Sequence, residues 1–138
     1  MLRTLLGMMI VATLAVQSTS VRAAESAGDR VFEMRTYITH DGRMPALQAR
    51  FRDHTNKIFI KHGITPIGYW VPTDGEDAQN TLVYILAYPS REAADASWKA
   101  FRDDADWKVA REASEKDGKI VKKVISQYLK PTDFSAIK

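Results

Sequence analysis

Three polar side chains at alternate positions of one predicted strand form the clearest candidate site in the sequence. Glu33, Arg35 and Tyr37 stand two residues apart, so an extended backbone places all three on the same face. A carboxylate beside a guanidinium could orient a polar or acidic ligand, and a neighbouring phenol could form part of a pocket wall. The alternative is structural, because an ion pair on a strand can also hold an interface in register.

Proton transfer is the second chemistry that the sequence offers. His54 falls beside Phe51 and Ile58 on the apolar stripe of a predicted helix, if each residue turns the helix by about 100°. A buried, neutral imidazole facing a cleft could accept a proton, and Tyr37 is the other candidate base. A histidine on such a stripe can equally be a core residue that is hydrogen-bonded to the backbone. His54 and Tyr37 are therefore candidate catalytic residues, and the structural alternative stays open.

Metal binding is disfavoured by the spacing of the histidines. His54 and His62 are eight residues apart, or about 12 Å along a helix, whereas the ligands of one zinc ion each lie about 2 Å from it. His40 has only Asp41 as a neighbouring ligand, and the chain has no cysteine. The sequence also lacks HExxH, GxSxG and a glycine-rich phosphate loop. We expect neither a bound metal nor a cofactor.

The first 23 residues have the pattern of a secretory signal peptide. A positive start at Met1 to Arg3 precedes an apolar run from Thr4 to Val16, and small residues at positions 21 to 23 surround a cleavage point before Ala24. The apolar run is shorter than the roughly 20 residues that a spanning helix needs. We expect an exported protein, periplasmic or secreted, without stable membrane insertion after cleavage. A retained N-terminal anchor is the alternative.

Charge and cysteine content narrow the range of partners. The full chain carries a net charge of +3, and the loss of Arg3 and Arg22 with the predicted leader lowers it to +1. The helical region from Arg91 to Lys116 mixes both signs and has no basic stripe interleaved with aromatic residues. We therefore expect no nucleic-acid partner. Without cysteines, an exported domain must be stabilised by packing alone.

The predicted elements follow the order βαββαβ. Periodicity, caps and turn residues predict strands at Val31 to Ile38, Ile64 to Val71, Thr81 to Tyr88 and Ile120 to Leu129, a helix at Pro45 to His62, and a second helix after Ser90 that breaks at Asp103-Asp104 and continues to Lys116. Right-handed crossovers then give a ferredoxin-like α+β fold, a four-stranded antiparallel sheet with the helices on one face. Pro66 and Gly68 predict that the second strand is bulged or lies at an edge.

The position of the candidate site depends on which face of the sheet the helices cover. If they cover the face bearing Phe32 and Met34, then Glu33, Arg35 and Tyr37 point to the opposite face. A subunit of this size would leave that face exposed unless a second copy covers it. The pattern therefore predicts a homodimer with the polar residues facing a cavity inside it.

Four short motifs carry a family resemblance: Met34-Arg35-Thr36-Tyr37, Gly68-Tyr69-Trp70, Ser97-Trp98-Lys99-Ala100-Phe101 and Pro131-Thr132-Asp133-Phe134. With these motifs in this order, the chain resembles a NIPSNAP-family domain over residues 31–134, between a linker at 24–30 and a tail at 135–138. The resemblance implies that two such domains pair sheet to sheet as a dimeric α+β barrel. It implies no particular activity, because the family has no agreed chemistry. We interpret Trp98 and Phe101 as core, and Phe134 as a latch tucked back onto the domain.

The residues and the resemblance together predict a homodimer that encloses a small apolar or aromatic ligand between sheet and helices. The predicted ligand-binding residues are Glu33, Arg35, Tyr37, Tyr69, Trp70 and Tyr84. One alternative is an enzyme, because proteins with the same dimeric barrel include cofactor-independent monooxygenases of quinone-like substrates and haem-degrading enzymes. In that version His54 or Tyr37 removes a substrate proton. The other alternative is a protein-interaction module that presents helix residues such as Arg91 and Lys108 to a partner.

Overall fold

The computed structural model describes residues 30–138 of the chain. The predicted signal peptide, residues 1–23, lies outside the described residues, as does the predicted linker, residues 24–30, except for Arg30. Within the described part of the chain, no helix has the length and apolar character needed to cross a bilayer.

One antiparallel sheet of four strands organises the chain. The strands are β1 (Val31–Thr39), β2 (Thr65–Trp70), β3 (Thr81–Tyr88) and β4 (Val121–Leu129). They lie in the order β2-β3-β1-β4, and every neighbouring pair is antiparallel. This order is the one that a ferredoxin-like βαββαβ chain produces, so the predicted fold is confirmed. In the register, Arg35 of β1 lies opposite Tyr84 of β3 on one side and Ser126 of β4 on the other.

The helices follow the predicted order, with one departure from α-helical geometry. They are α1 (Met44–Arg50), a π-helical segment (Phe51–Thr55) and α2 (Asn56–Lys61) in one continuous run, then α3 (Arg91–Asp103) and α4 (Ala105–Ser114). Ser90 caps α3 by accepting a hydrogen bond from the backbone N–H of Ala93. Asp104 caps α4 by accepting from the backbone N–H groups of Asp106 and Trp107. The predicted break between the two helices is therefore confirmed.

β2 is an edge strand with a bulge, as its proline and glycine predict. The register shifts between Pro66 and Gly68, which leaves Ile67 as the extra residue of the bulge. A side chain at position 68 would begin within 2.5 Å of the Trp70 indole. Gly68 therefore makes room for the Trp70 ring to lie along the surface of the strand.

The helices cover one face of the sheet and leave the other face open. On β3, Leu82, Tyr84 and Leu86 are buried beneath the helices. Val83 and Ile85, which alternate with them, are only partly buried. The hydrophobic core thus lies between the covered face and the helices, and apolar residues of the central strands also form the open face.

The helices cover the face of β1 that carries Glu33, Arg35 and Tyr37, so the condition under which these residues would point away from the helices is not met. The Trp98 indole of α3 donates a hydrogen bond to Glu33, and alternation then assigns Phe32 to the open face. The alternation of hydrophobic residues shows which residues share a face of the strand, but it does not show which face the helices cover. Here the polar face is covered, and Trp98 of α3 supplies a hydrogen-bond donor to it.

The predicted latch at Phe134 is also wrong, since this side chain is 85% exposed. Pro131 and Ile137 of the C-terminal segment instead line an apolar cavity of about 370 Å³ with Phe32 on the open face. Ile137, which is 53% exposed, lines this cavity, and Phe134 does not. Phe134 is consequently left in solvent.

Candidate functional site

A buried carboxylate, Glu33, is the centre of the covered face. Its two oxygens accept hydrogen bonds from Arg35 Nη1 at 2.6 Å, Ser126 Oγ at 2.6 Å, Tyr88 Oη at 2.7 Å and Trp98 Nε1 at 2.7 Å. The donors come from β1, β4, β3 and α3 in turn. With the Glu33 residue only 1% exposed, the carboxylate ties three strands to the helix above them.

The environment of Glu33 keeps it ionised. Burial alone would raise the pKa of this carboxyl, but the hydrogen bonds from Ser126, Tyr88 and Trp98 and the charge of Arg35 outweigh burial and lower it. The pKa of Tyr88 is raised instead, because burial and the hydrogen bond to Glu33 both disfavour its ionised form. A carboxylate that already accepts four hydrogen bonds is largely saturated. Glu33 is therefore placed to position its neighbours rather than to act as a base.

Arg35 is held rigidly by two different contacts. Its guanidinium lies 4.3 Å from the centre of the Trp98 ring and 5.5 Å from that of Tyr37. Its only hydrogen bond within residues 30–138 is the one from Nη1 to Glu33, and its Nε is buried without a partner there. Arginine carries five N–H donors. The guanidinium of Arg35 therefore has a fixed orientation, and most of its N–H groups are still available as hydrogen-bond donors.

These residues form one wall of a cleft of about 580 Å³ between the sheet and helices α3 and α4. Its aromatic lining consists of Tyr37, Trp98, Phe101, Trp107 and Tyr128. Its polar lining consists of Glu33, Arg35, Asp95, Arg102, Arg111 and Ser126. A volume in the range of about 300–1,000 Å³ is typical of small-molecule sites, and the wall of this cleft combines aromatic surfaces with an at least equal number of polar groups.

The six residues predicted to bind a ligand are distributed over four places. Glu33, Arg35 and Tyr37 line the cleft together. Tyr84 is fully buried behind Tyr37, with ring centres 5.3 Å apart, and burial raises its pKa well above the usual value. Its hydroxyl has no hydrogen-bond partner in the described part of the chain.

The other two residues of the predicted set point to opposite sides of β2. Tyr69 lies on the covered face, where its hydroxyl donates to Asn56 Oδ1 at 2.7 Å, and burial raises its pKa to about 12. Trp70 lies on the open face opposite Val83. Neither residue lines the cleft with Arg35, but both line a separate cavity of about 390 Å³. The structure therefore does not bring the six residues together in one pocket.

The prediction that His54 is buried on the packing face is wrong. His54 is exposed and does not line the cleft, whereas the next residue, Thr55, is buried. The π-helical segment causes this change, because its wider turn shifts the helical stripe by one residue. Thr55 Oγ1 donates to the carbonyl of Arg50, five residues earlier. No three histidine, aspartate or glutamate side chains among residues 30–138 are grouped so that they could hold a metal ion.

Sequence reasoning missed the partners of Glu33 and a buried arginine. Ser126 lies opposite Arg35 in the sheet register, a pairing that cross-strand alternation could have suggested once the strand order was assumed. Trp98 was interpreted as core alone, although a buried indole N–H usually needs an acceptor. Arg50 carried no sequence signal, yet it is buried and lies 5.2 Å from the centre of the Trp107 ring.

Comparison with known proteins identifies relatives of the whole domain. A family model described as NIPSNAP matches residues 32–136. A NIPSNAP family protein of unknown function from Agrobacterium tumefaciens has a TM-score of 0.70 and 22% identity, covering 80% of this chain and 96% of that chain. An uncharacterised NIPSNAP-like domain protein from Burkholderia xenovorans has a TM-score of 0.67 and 18% identity, with coverages of 78% and 90%.

A more distant structural neighbour belongs to a different group of proteins. A candidate antibiotic biosynthesis monooxygenase from Chloroflexus aurantiacus has a TM-score of 0.51 and 14% identity, covering 80% of this chain and 100% of that chain. No curated protein matches the chain significantly. At these identities the structural likenesses establish the fold alone.

Proposed function

Because the chain belongs to the NIPSNAP family, and solved family members such as the Agrobacterium protein have no known function, we propose a role from the geometry of its cleft. The protein binds a small aromatic ligand between its sheet and helices α3 and α4. It does so as an exported homodimer. The observation that carries the proposal is the fixed guanidinium of Arg35, which stacks on Trp98 at 4.3 Å at the wall of the cleft.

The cleft is organised for binding before a ligand arrives. Glu33 fixes Arg35 and Trp98 through hydrogen bonds of 2.6 and 2.7 Å, so neither side chain needs to be ordered on binding. The free-energy cost of immobilising side chains is about 0.5–1.5 kcal/mol each, and a preorganised wall avoids it. Aromatic surfaces then supply stacking contacts for a flat molecule.

The homodimer is proposed from the apolar character of the open face. Trp70, Ile125 and Leu129 point to this face and are 52%, 40% and 38% exposed, and they flank the partly buried Val83 and Ile85. A contiguous apolar surface on a monomer usually marks an interface. A second copy would cover it by pairing the two sheets. Export is proposed from the leader-like residues 1–23.

Binding can be tested with two matched tryptophan variants. The probe is 2-naphthol, a flat bicyclic compound, and its affinity is measured by isothermal titration calorimetry. Trp107→Leu removes an aromatic wall of the cleft and should weaken binding about tenfold. Trp70→Leu removes a tryptophan of the open face and should leave the affinity unchanged.

The opposite pattern, with only Trp70→Leu losing affinity, would move the site to the open face and contradict the proposal. If the wild-type protein binds neither 2-naphthol nor related bicyclic compounds, the proposal fails. In that case the protein-interaction alternative, with Arg91 and Lys108 on exposed helix surfaces, becomes the better account.

A catalytic role is the second candidate, and Tyr37 is the observation that favours it. Its phenol lines the same cleft beside the guanidinium of Arg35, where a proton acceptor or donor would meet a bound ligand. The structural neighbour described as a candidate monooxygenase has the same fold, which is an analogy only. His54 no longer supports this candidate, because it is exposed outside the cleft.

A further inference from the structure

The negative charges that line the cleft are already neutralised. Glu33 meets Arg35 at 2.6 Å and is almost completely buried. Asp95, on α3, pairs with Arg91 at 3.3 Å, and the guanidinium of Arg91 also lies 3.5 Å from the centre of the Tyr128 ring. Both carboxylates therefore have a cation next to them that does not depend on a ligand.

Two arginines that line the cleft are not balanced in the same way. Arg102 of α3 has no acidic group within 4.0 Å in the part of the chain that the structure describes. Arg111 of α4 forms a long ion pair of 3.6 Å with Glu115. Glu115 is also paired with the buried Arg50, at 3.3 Å. The cleft consequently has an excess of positive charge on its helix side.

The aromatic walls constrain the shape of the ligand. Phe101 and Trp107 have ring centres 4.5 Å apart, and Trp98 packs against Phe101 at 5.5 Å with its ring perpendicular. These rings are buried or partly buried, whereas Arg102 and Arg111 are exposed, and all five residues line the cleft. A molecule that contacts both groups must be flat at one end and anionic at the other.

We infer that the ligand of the cleft is a flat aromatic acid, whose carboxylate or similar anion lies against Arg102 and Arg111. This inference rests on the proposed function and specifies the chemical class of the ligand. An arginine guanidinium can bind a carboxylate through two parallel hydrogen bonds. The aromatic part of the molecule lies against Trp98, Phe101 and Trp107.

The test compares three probes with the same ring system and different charge. These are 2-naphthoate, the neutral 2-naphthamide and the cationic 2-naphthylmethylammonium, and each affinity is measured by calorimetry on the full-length protein at low ionic strength. We expect the wild type to bind the carboxylate about tenfold more tightly than the amide, and the cation least tightly. High salt should reduce the preference, because the arginines are near the surface.

The decisive variant is Arg102→Gln combined with Arg111→Gln, in which the carboxylate should lose its advantage over the amide. Arg52→Gln is the matched control, because Arg52 is exposed and does not line this cleft. The control should keep the tenfold preference of the wild type.

The possible failures are distinguishable. Equal affinity for carboxylate and amide, or a preference that survives in the double variant, overturns the ligand class and leaves the cleft as a binding site. If none of the three probes binds and none changes the nuclear magnetic resonance signal of the Trp98 or Trp107 indole N–H, the proposed function itself is overturned.

Discussion

The two faces of the sheet combine polar and apolar side chains in different ways. The covered face holds an ionised carboxylate, an arginine and two tyrosines of the central strands in the interior. The open face consists largely of apolar side chains, several of which are exposed to solvent. The position of the helices, and the hydrogen-bond donors that they carry, therefore decide which face becomes the interior. Hydropathy along a strand does not decide it.

The largest effect should come from removing the polar centre of the covered face. Glu33→Ala leaves Arg35 without its anion and leaves the Trp98 and Tyr88 donors without an acceptor. The loss of one partner of a buried ion pair costs about 3–5 kcal/mol. The free energy of unfolding, measured by urea denaturation at fixed protein concentration, should fall by that amount.

A matched control for this change is Glu92→Ala, which removes a carboxylate from the exposed first turn of α3. This variant should unfold at nearly the same urea concentration as the wild type. If Glu33→Ala costs less than about 1 kcal/mol, as surface substitutions do, the covered face is not held together by its polar centre.

The second prediction compares two substitutions on β3, one on each face of the sheet. Leu86→Ala empties a fully buried position on the covered face of β3 and should cost about 3 kcal/mol in unfolding free energy. Val83→Lys places a charge on the open face, three residues earlier on the same strand. It should dissociate the proposed dimer, as measured by light scattering, with a smaller loss of stability in each subunit.

The comparison fails if the two variants behave alike. A Val83→Lys protein that keeps the mass of a dimer would mean that the open face is not the interface. A Leu86→Ala protein with unchanged urea stability would mean that the covered face does not contain the core.

The smallest of the three effects is a pH dependence confined to the covered face. The pKa of Glu33 is lowered on folding from its ordinary value of 4.5, so its contribution to stability is present above that pH. The contribution is lost as the pH falls through the lower pKa of the folded state. As the pH is lowered past about 4.5, the urea concentration at the unfolding midpoint of the wild type should decrease. In Glu33→Gln the same decrease should be shallower. Val83→Lys should keep the pH dependence of the wild type.

The order and limits of the elements could be predicted because they depend on local signals. Ser90 and Asp104 cap the helices that their side chains indicate, and Pro66 and Gly68 bulge the strand that they interrupt. These features need only a few neighbouring residues. The same reasoning gave the strand order, since right-handed crossovers leave few alternatives.

The site was predicted less well because it depends on contacts between distant segments. Glu33 and Arg35 were identified by their type and spacing, but the face to which they point is set by Trp98, 65 positions further along the chain. His54 was misplaced because nothing in the hydrophobic pattern indicates a π-helical turn. The excess charge of the cleft becomes visible only in the fold, where Asp95 is paired with Arg91 and Arg102 has no acidic partner among residues 30–138.

The π-helical segment also constrains how the chain can change over generations. Loss of one residue from Phe51–Thr55 would restore regular helical geometry, because a π-helical turn holds one residue more than an α-helical turn. Ile58 and Phe59, now 6% and 1% exposed, would then still face the sheet. A deletion within α1 or α2 would instead turn the residues beyond it by about 100° and is therefore far more damaging. The π-helical segment is consequently the place at which the first helical run can lose a residue and keep its buried face.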